Sequence, residues 1–261
     1  MKGVNLRSYI EELELLRTDT MHEKETIMIR WFNLFPADDY NQEIVSSVYD
    51  KIVDSYCAPH RHYHTMEHIE FMLNKIDEMF SIYHFEKEPE EKFALYCAAF
   101  FHDIVYNPQS KNELSDEELS VNFAVECLKR IGVKSVRTLE RIAELIMVTK
   151  THTVDDTMFT DIELQSIMID ADMGIMGTHR EQYLQYAKDV SLEYSFVNER
   201  EFRLGRTKFL HDILCREAIF NTEYMRQVYE KDARLNIRTE LAVLDKLSID
   251  DLLNDVMHPE E

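Results

Sequence analysis

Apolar residues recur at steps of three and four along almost the whole chain, and this periodicity limits the fold more than any other feature. Ile69, Met72, Leu73, Ile76, Met79, Phe80 and Tyr83 form one such series. On an α-helix they share a face that must be buried. Comparable faces run over 27–35, 44–52, 93–101, 123–131, 139–147, 183–194 and 209–220. No segment alternates with a period of two for long enough to read as a strand. Breaks fall at Phe35-Pro36-Ala37-Asp38, Ala58-Pro59, Glu88-Pro89 and Asn107-Pro108, and Gly132 follows an amphipathic run. Five Gly and five Pro in 261 residues are too few for a chain built from many tight turns. The expectation is an all-α bundle of about ten helices. It forms one domain over 1–261, with a core near 31–220, an N-terminal helix and a C-terminal helical extension.

The 29 Lys and Arg face 50 Asp and Glu, a formal charge of −21. Such a surface repels polymeric nucleic acid and anionic membranes. A small phosphorylated substrate remains compatible if a divalent metal supplies the missing positive charge. Cys57, Cys97, Cys127 and Cys215 show no CxxC pairing and read as reduced thiols, two of them buried. The first residues carry no apolar run of signal-peptide length, and no stretch reaches the roughly 20 residues of a spanning helix. The expected location is the cytoplasm; the oligomeric state is left open.

Three segments carry candidate chemistry. Four of the eleven histidines lie between His60 and His68, and His64 and His68 are four apart, so on a helix their rings point to the same side. His102-Asp103 ends the apolar run Ala98-Ala99-Phe100-Phe101. An ionised Asp in that setting is costly unless a cation or hydrogen bonds compensate, and a metal held by imidazole and carboxylate does so. A second His-Asp pair, His211-Asp212, lacks a histidine-dense segment before it and reads as structural. The third segment places Asp170 and Asp172 within Ile167-Met168-Ile169-Asp170-Ala171-Asp172-Met173. On a helix the two lie about 200° apart, so one binds a metal while the other caps or supports.

This ordered His, His-Asp and Asp set resembles the HD-domain superfamily of metal-dependent phosphohydrolases. It is most similar to a family of small HD hydrolases with Arg-x-Tyr-His-x-x-x-His-Ile, Phe-His-Asp-x-Val-Tyr and Asp-Ala-Asp-Leu/Met. Here these read Arg61–Ile69, Phe101–Tyr106 and Asp170–Met173. Asn112-Glu113, Thr149-Lys150-Thr151-His152 and Gly205-Arg206 extend the likeness, which runs from about Trp31 to about Phe220. The resemblance implies an HD-type helical fold and one divalent ion (Mn, Fe, Co, Ni, Zn or Mg) on His68, His102, Asp103 and Asp172, with Asp170 in support. It implies hydrolysis of a phosphate monoester or diester, such as a nucleotide, by metal-activated water, with Asp103 and Glu113 in the chemistry. Arg61, His64, Lys150, His152 and Arg206 are then candidate substrate contacts, the guanidiniums as phosphate clamps.

Three other readings compete. His64-Thr65-Met66-Glu67-His68 satisfies the H-x-x-E-H pattern of inverted zinc peptidases, with Glu67 as base, but leaves the other two segments unused. An HD-type di-iron oxygenase needs more histidines between His102 and Asp172 than His152 alone. A non-catalytic module binding a nucleotide or partner would keep the pattern without turnover.

Overall fold

A computed structural model describes residues 27–83, 89–109 and 112–257, with the side chains of 83 and 246–257 outside the description. The expected N-terminal helix before residue 27 and the last residues of the tail lie outside the described residues. Eleven helices follow in order. They are α1 (27–34), α2 (Gln42–Tyr56), α3 (Met66–Tyr83), α4 (Pro89–Phe101), α5 (Asp116–Ile131), α6 (Val136–Met147), α7 (Ile162–Met173), α8 (Arg180–Glu193), α9 (Glu199–Leu214), α10 (Glu223–Val228) and α11 (Glu230–Met257). Short 3₁₀ turns follow α6 (Val148–Lys150) and α7 (Gly174–Gly177). Among the described residues there is no strand, so the all-α expectation holds.

Local chemistry sets the ends of these helices. Asn41 caps α2, Ser135 caps α6, Asn198 caps α9 and Thr222 caps α10, each side chain accepting from a backbone N–H of the first turn. Ser115 and Glu118 form a reciprocal capping box on α5. Gly132 closes that helix at φ 121°, a left-handed conformation that a side chain would oppose. Pro89 opens α4, where its missing N–H costs nothing.

Two helices are buried on nearly all sides. The eight residues from Ala94 to Phe101 of α4 are all buried, as are Leu164 to Ala171 of α7. Helices without a polar face belong in the middle of a bundle, and here α3, α4 and α7 pack on one another while α6 covers α4 and α5. Trp31 seals one end, its ring centroid 5.1 Å from Phe100 and 5.8 Å from Phe101. Cys97 and Cys127 are buried, Cys57 and Cys215 exposed, and all four are free thiols.

The structure departs from the sequence reading in three places. The face expected over 209–220 is interrupted, because α9 stops at Leu214 and Phe220 sits in the connection to α10. His64 precedes α3 rather than lying on it, so the shared-face argument for His64 and His68 does not apply. The single hydrophobic cluster continues beyond residue 220 through Met225, Ala233, Ile237, Leu241 and Leu244. That last stripe is one residue wide in a strongly charged helix, which hides it from a periodicity argument. It packs on the turn Gly174–Gly177, where a Cβ on Gly177 would come within 2.6 Å of Tyr229 Cβ. No helix among the described residues is long and apolar enough to cross a membrane.

Candidate metal centre

The two fully buried helices end at the same point. Beyond the last turn of α4, His102 extends the helical bonding by donating its N–H to the Ala98 carbonyl (2.8 Å). Asp103 follows, its N–H donating to the Tyr56 hydroxyl (3.2 Å). Asp172 lies in the last turn of α7, and His68 in the first turn of α3. Carbonyl-rich ends of α4 and α7 thus face one locus, and helix C-termini favour positive charge.

His68, His102 and Asp103 form a group able to hold a metal ion, both imidazoles being buried. Their Nε2 atoms are 3.2 Å apart, and Asp103 Oδ2 is 3.0 Å from His102 Nε2. Asp172 joins through Oδ1, 3.2 Å from His68 Nε2 and 3.9 Å from His102 Nε2. Ligand bonds of about 2.0–2.2 Å set neighbouring donors on one first-row ion about 3–3.5 Å apart, so His68, His102 and Asp103 could hold a single ion, with Asp172 Oδ1 beside His68. The His102 Nδ1–H donates to the Ala99 carbonyl at 2.9 Å, which leaves Nε2 as the atom facing the cluster. Among the described residues nothing meets His68 Nδ1.

The electrostatics describe a site that attracts cations. Burial opposes ionisation of Asp103, yet His102 and His64 hold its carboxyl below the usual range. Burial also opposes the charge on Asp172, but hydrogen bonds from His152 and His68 hold it well below that range. Burial favours a neutral His102 ring, and the charges of Asp103 and Asp172 overcome this and push it up. Burial dominates at His68 and lowers it.

The remaining expected site residues divide between those at the cluster and those away from it. His152 Nε2 lies 3.0 Å from Asp172 Oδ2, and its backbone sits at φ 50°, left-handed for a residue with a Cβ. Arg216 holds the loop by donating to the His152 carbonyl at 2.8 Å. His64 Nε2 is 3.8 Å from Asp103 Oδ2. Asp170 points away, as the helical angle requires. It accepts from Asn221 N–H (2.8 Å), Thr222 N–H (2.7 Å) and both side chains, fastening α7 to the start of α10. Asp170→Asn should therefore lower stability by about 2 kcal/mol, or roughly 4–8 °C in melting temperature. Metal content per folded chain should stay unchanged, as elemental analysis would check.

The expected phosphate clamps are otherwise engaged. Arg61 donates to the His64 carbonyl (3.2 Å) and the Ile104 carbonyl (3.1 Å) and stacks on Tyr56 and Tyr106, tying the loop before His68 to the loop after His102. Arg206 is held by Glu240 (Nε to Oε1, 2.8 Å) and Tyr186 Oη (3.0 Å). Lys150 pairs with Glu118 at 3.4 Å and, with Glu113, lines a neighbouring polar depression rather than the cavity at the cluster. Glu67, the base of the peptidase reading, is exposed and does not line that cavity.

The sequence reasoning missed Glu193. This buried residue ends α8, and its Oε1 accepts the N–H groups of His62, Tyr63 and His64 at 2.8–2.9 Å. Its Oε2 meets His64 Nδ1 at 2.6 Å and accepts from Tyr106 Oη at 2.9 Å. Burial pushes Glu193 up, but these bonds, that of His64 first, hold its carboxyl down at about 2. Burial likewise lowers His64, and Asp103 and Glu193 more than reverse it. The only local signal was a lone carboxylate in the mixed run Val190-Ser191-Leu192-Glu193-Tyr194. Beside the cluster opens a cavity of about 610 Å³ bounded by His64, Asp103, His152 and Asp172 at one end. Comparison with known proteins finds no matching family model, no matching curated protein and no matching solved structure.

Proposed function

We propose that this protein is a metal-dependent phosphohydrolase of the HD type, which its His68, His102-Asp103 and Asp172 segments resemble, and that it cleaves phosphate esters. One observation carries the reading: two imidazole nitrogens and two carboxylates, from two helices and the turn after a third, converge beside a cavity that the two carboxylates line. On this reading His68, His102, Asp103 and Asp172 hold one divalent ion. Such an ion acidifies water towards neutrality and polarises a phosphoryl oxygen.

The chain's own groups then have defined tasks. In the net reaction a water oxygen bonds to phosphorus, the ester P–O bond breaks, and the leaving oxygen takes up a proton. His64 is placed to hand over that proton. Its Nδ1 is fixed by Glu193, so Nε2 is the nitrogen available on the cavity side. His152 holds the second oxygen of Asp172 and keeps Oδ1 turned to the imidazoles. Tyr63 also lines the cavity, and its buried hydroxyl has no partner among the described residues. A phosphoryl oxygen would satisfy it. Tyr63→Phe should lower kcat about tenfold, close to one lost hydrogen bond, with an unchanged melting temperature.

The test is a panel of phosphate monoesters and diesters, nucleotides included, assayed with Mn²⁺, Mg²⁺, Co²⁺ and Ni²⁺ alongside metal analysis. Turnover with one ion per chain is expected. No turnover of any ester, or two irons per chain with oxygen consumption, would replace this reading.

A further inference from the structure

The cavity changes character along its length. Asp103 and Asp172, with His64 and His152, carry it up to the candidate metal site. Its walls carry six aromatic rings, Tyr63, Tyr106, Tyr186, Tyr194, Phe202 and Phe209. Met173 and Met176 close the buried side. About 610 Å³ is the size of a site for a small molecule, and walls of this kind favour a flat apolar body.

The solvent-exposed part of the lining is acidic. Asp116 and Glu117, in the first turn of α5, are partly exposed, and Glu201, in the first turn of α9, is exposed; all three line the cavity. Asp116 already accepts the Asn107 N–H at 2.7 Å. A divalent ion offsets Asp103 and Asp172 but leaves these three carboxylates. Among the described lining residues the only Lys or Arg is Arg206, and its guanidinium is bound by Glu240 and Tyr186 and packed on Tyr186 and Phe209. Lys150 lies in the adjoining depression and pairs with Glu118. A second phosphate or a carboxylate beside these groups would meet like charge with no free cation among the described lining residues, whereas an ammonium would meet opposite charge.

From the graded lining we infer that the site takes a singly phosphorylated substrate whose leaving group is an apolar, ring-bearing body with a cationic amine at its far end. The phosphate end of this inference rests on the phosphohydrolase reading; the amine end rests on the cavity alone. Nucleoside di- and triphosphates, with extra negative charge, are disfavoured.

Full-length protein with Mn²⁺ would be assayed with para-aminomethylphenyl, para-hydroxymethylphenyl and para-carboxyphenyl phosphates. Wild type would be compared with Glu117→Gln/Glu201→Gln, so that intrinsic ester reactivity cancels. The ratio of kcat/KM for the ammonium ester to that for the carboxylate ester should fall about tenfold in the double variant, the scale of two partly screened charge pairs. Added salt should compress the wild-type ratio. A second arm measures equilibrium binding of benzylamine and benzyl alcohol, which carry no phosphate. Wild type should prefer the amine, and both the double variant and Glu201→Gln alone should lose part of that preference. Preference for the carboxylate ester, or an amine preference unchanged in the double variant, would overturn the inference. If the amine preference depends on Glu117 and Glu201 but no ester is cleaved, the cavity assignment stands and the phosphohydrolase reading falls.

Discussion

On the proposed phosphohydrolase reading, Asp103→Ala should lower phosphate-ester hydrolysis by about a thousandfold or more and reduce metal content to near zero while the helical fold persists. The size follows from what the carboxylate touches. It lies 3.0 Å from His102 Nε2 and 3.8 Å from His64 Nε2, and it lines the cavity. Its removal takes away an anionic donor and leaves the imidazoles of His68 and His102 facing each other at 3.2 Å. Loss of a metal that acidifies water and stabilises phosphoryl charge typically costs several kcal/mol of barrier, and about 4 kcal/mol is a thousandfold. Far-ultraviolet circular dichroism would establish the fold, and elemental analysis the metal. Full activity in Asp103→Ala would remove this cluster from the chemistry. The control is Asp212→Ala in the other His-Asp pair, which lies outside the cavity lining and should leave turnover intact.

Glu193→Gln should produce the second large effect, and in two measurements at once. The amide would present N–H to His64 Nδ1, where the carboxylate now receives a proton, so the ring would adopt the other tautomer or turn away. A roughly hundred- to thousandfold fall in kcat is expected, with metal content retained. This scale is set by the loss of a correctly oriented proton donor. The stability effect has a definite sign with pH. A carboxyl held at about 2 rather than its ordinary 4.5 contributes roughly 3 kcal/mol to folding, since it is more acidic in the folded than in the unfolded state. That contribution is present above about pH 4.5 and is lost as the pH falls towards 2. The stability difference between wild type and Glu193→Gln, from urea unfolding in chelator, should therefore be largest near neutrality and shrink steadily below pH 4.5. A constant difference across that range would show that Glu193 does not act through its charge.

Much of this architecture was legible because helical periodicity is local. Ile69 through Phe80 form a buried face of α3, and the breaks at Pro36, Pro59 and Pro108 lie between helices. The cluster was also partly legible. A His-Asp pair at the end of an all-apolar run, and two carboxylates inside another, are expensive to bury without compensation, and α4 and α7 are the two helices buried on nearly all sides. Substrate contacts fared differently. The resemblance and guanidinium chemistry together make Arg61 and Arg206 candidate phosphate clamps, and folding gives both of them protein partners.

The sequence by itself determined an all-helical chain and the segments carrying His68, His102-Asp103 and the Asp170/Asp172 pair, because each depends on residues within a few positions of one another. Only the tertiary structure decided which aspartate faces the imidazoles. Asp172 turns inward because Asp170, about 200° round the helix, is taken by Asn221 and Thr222. Only the tertiary structure brought in Glu193, 129 residues from His64, and surrounded the cavity with rings and carboxylates drawn from α5, α8 and α9. Such partnerships depend on which helix ends meet, and helix periodicity carries no information about that.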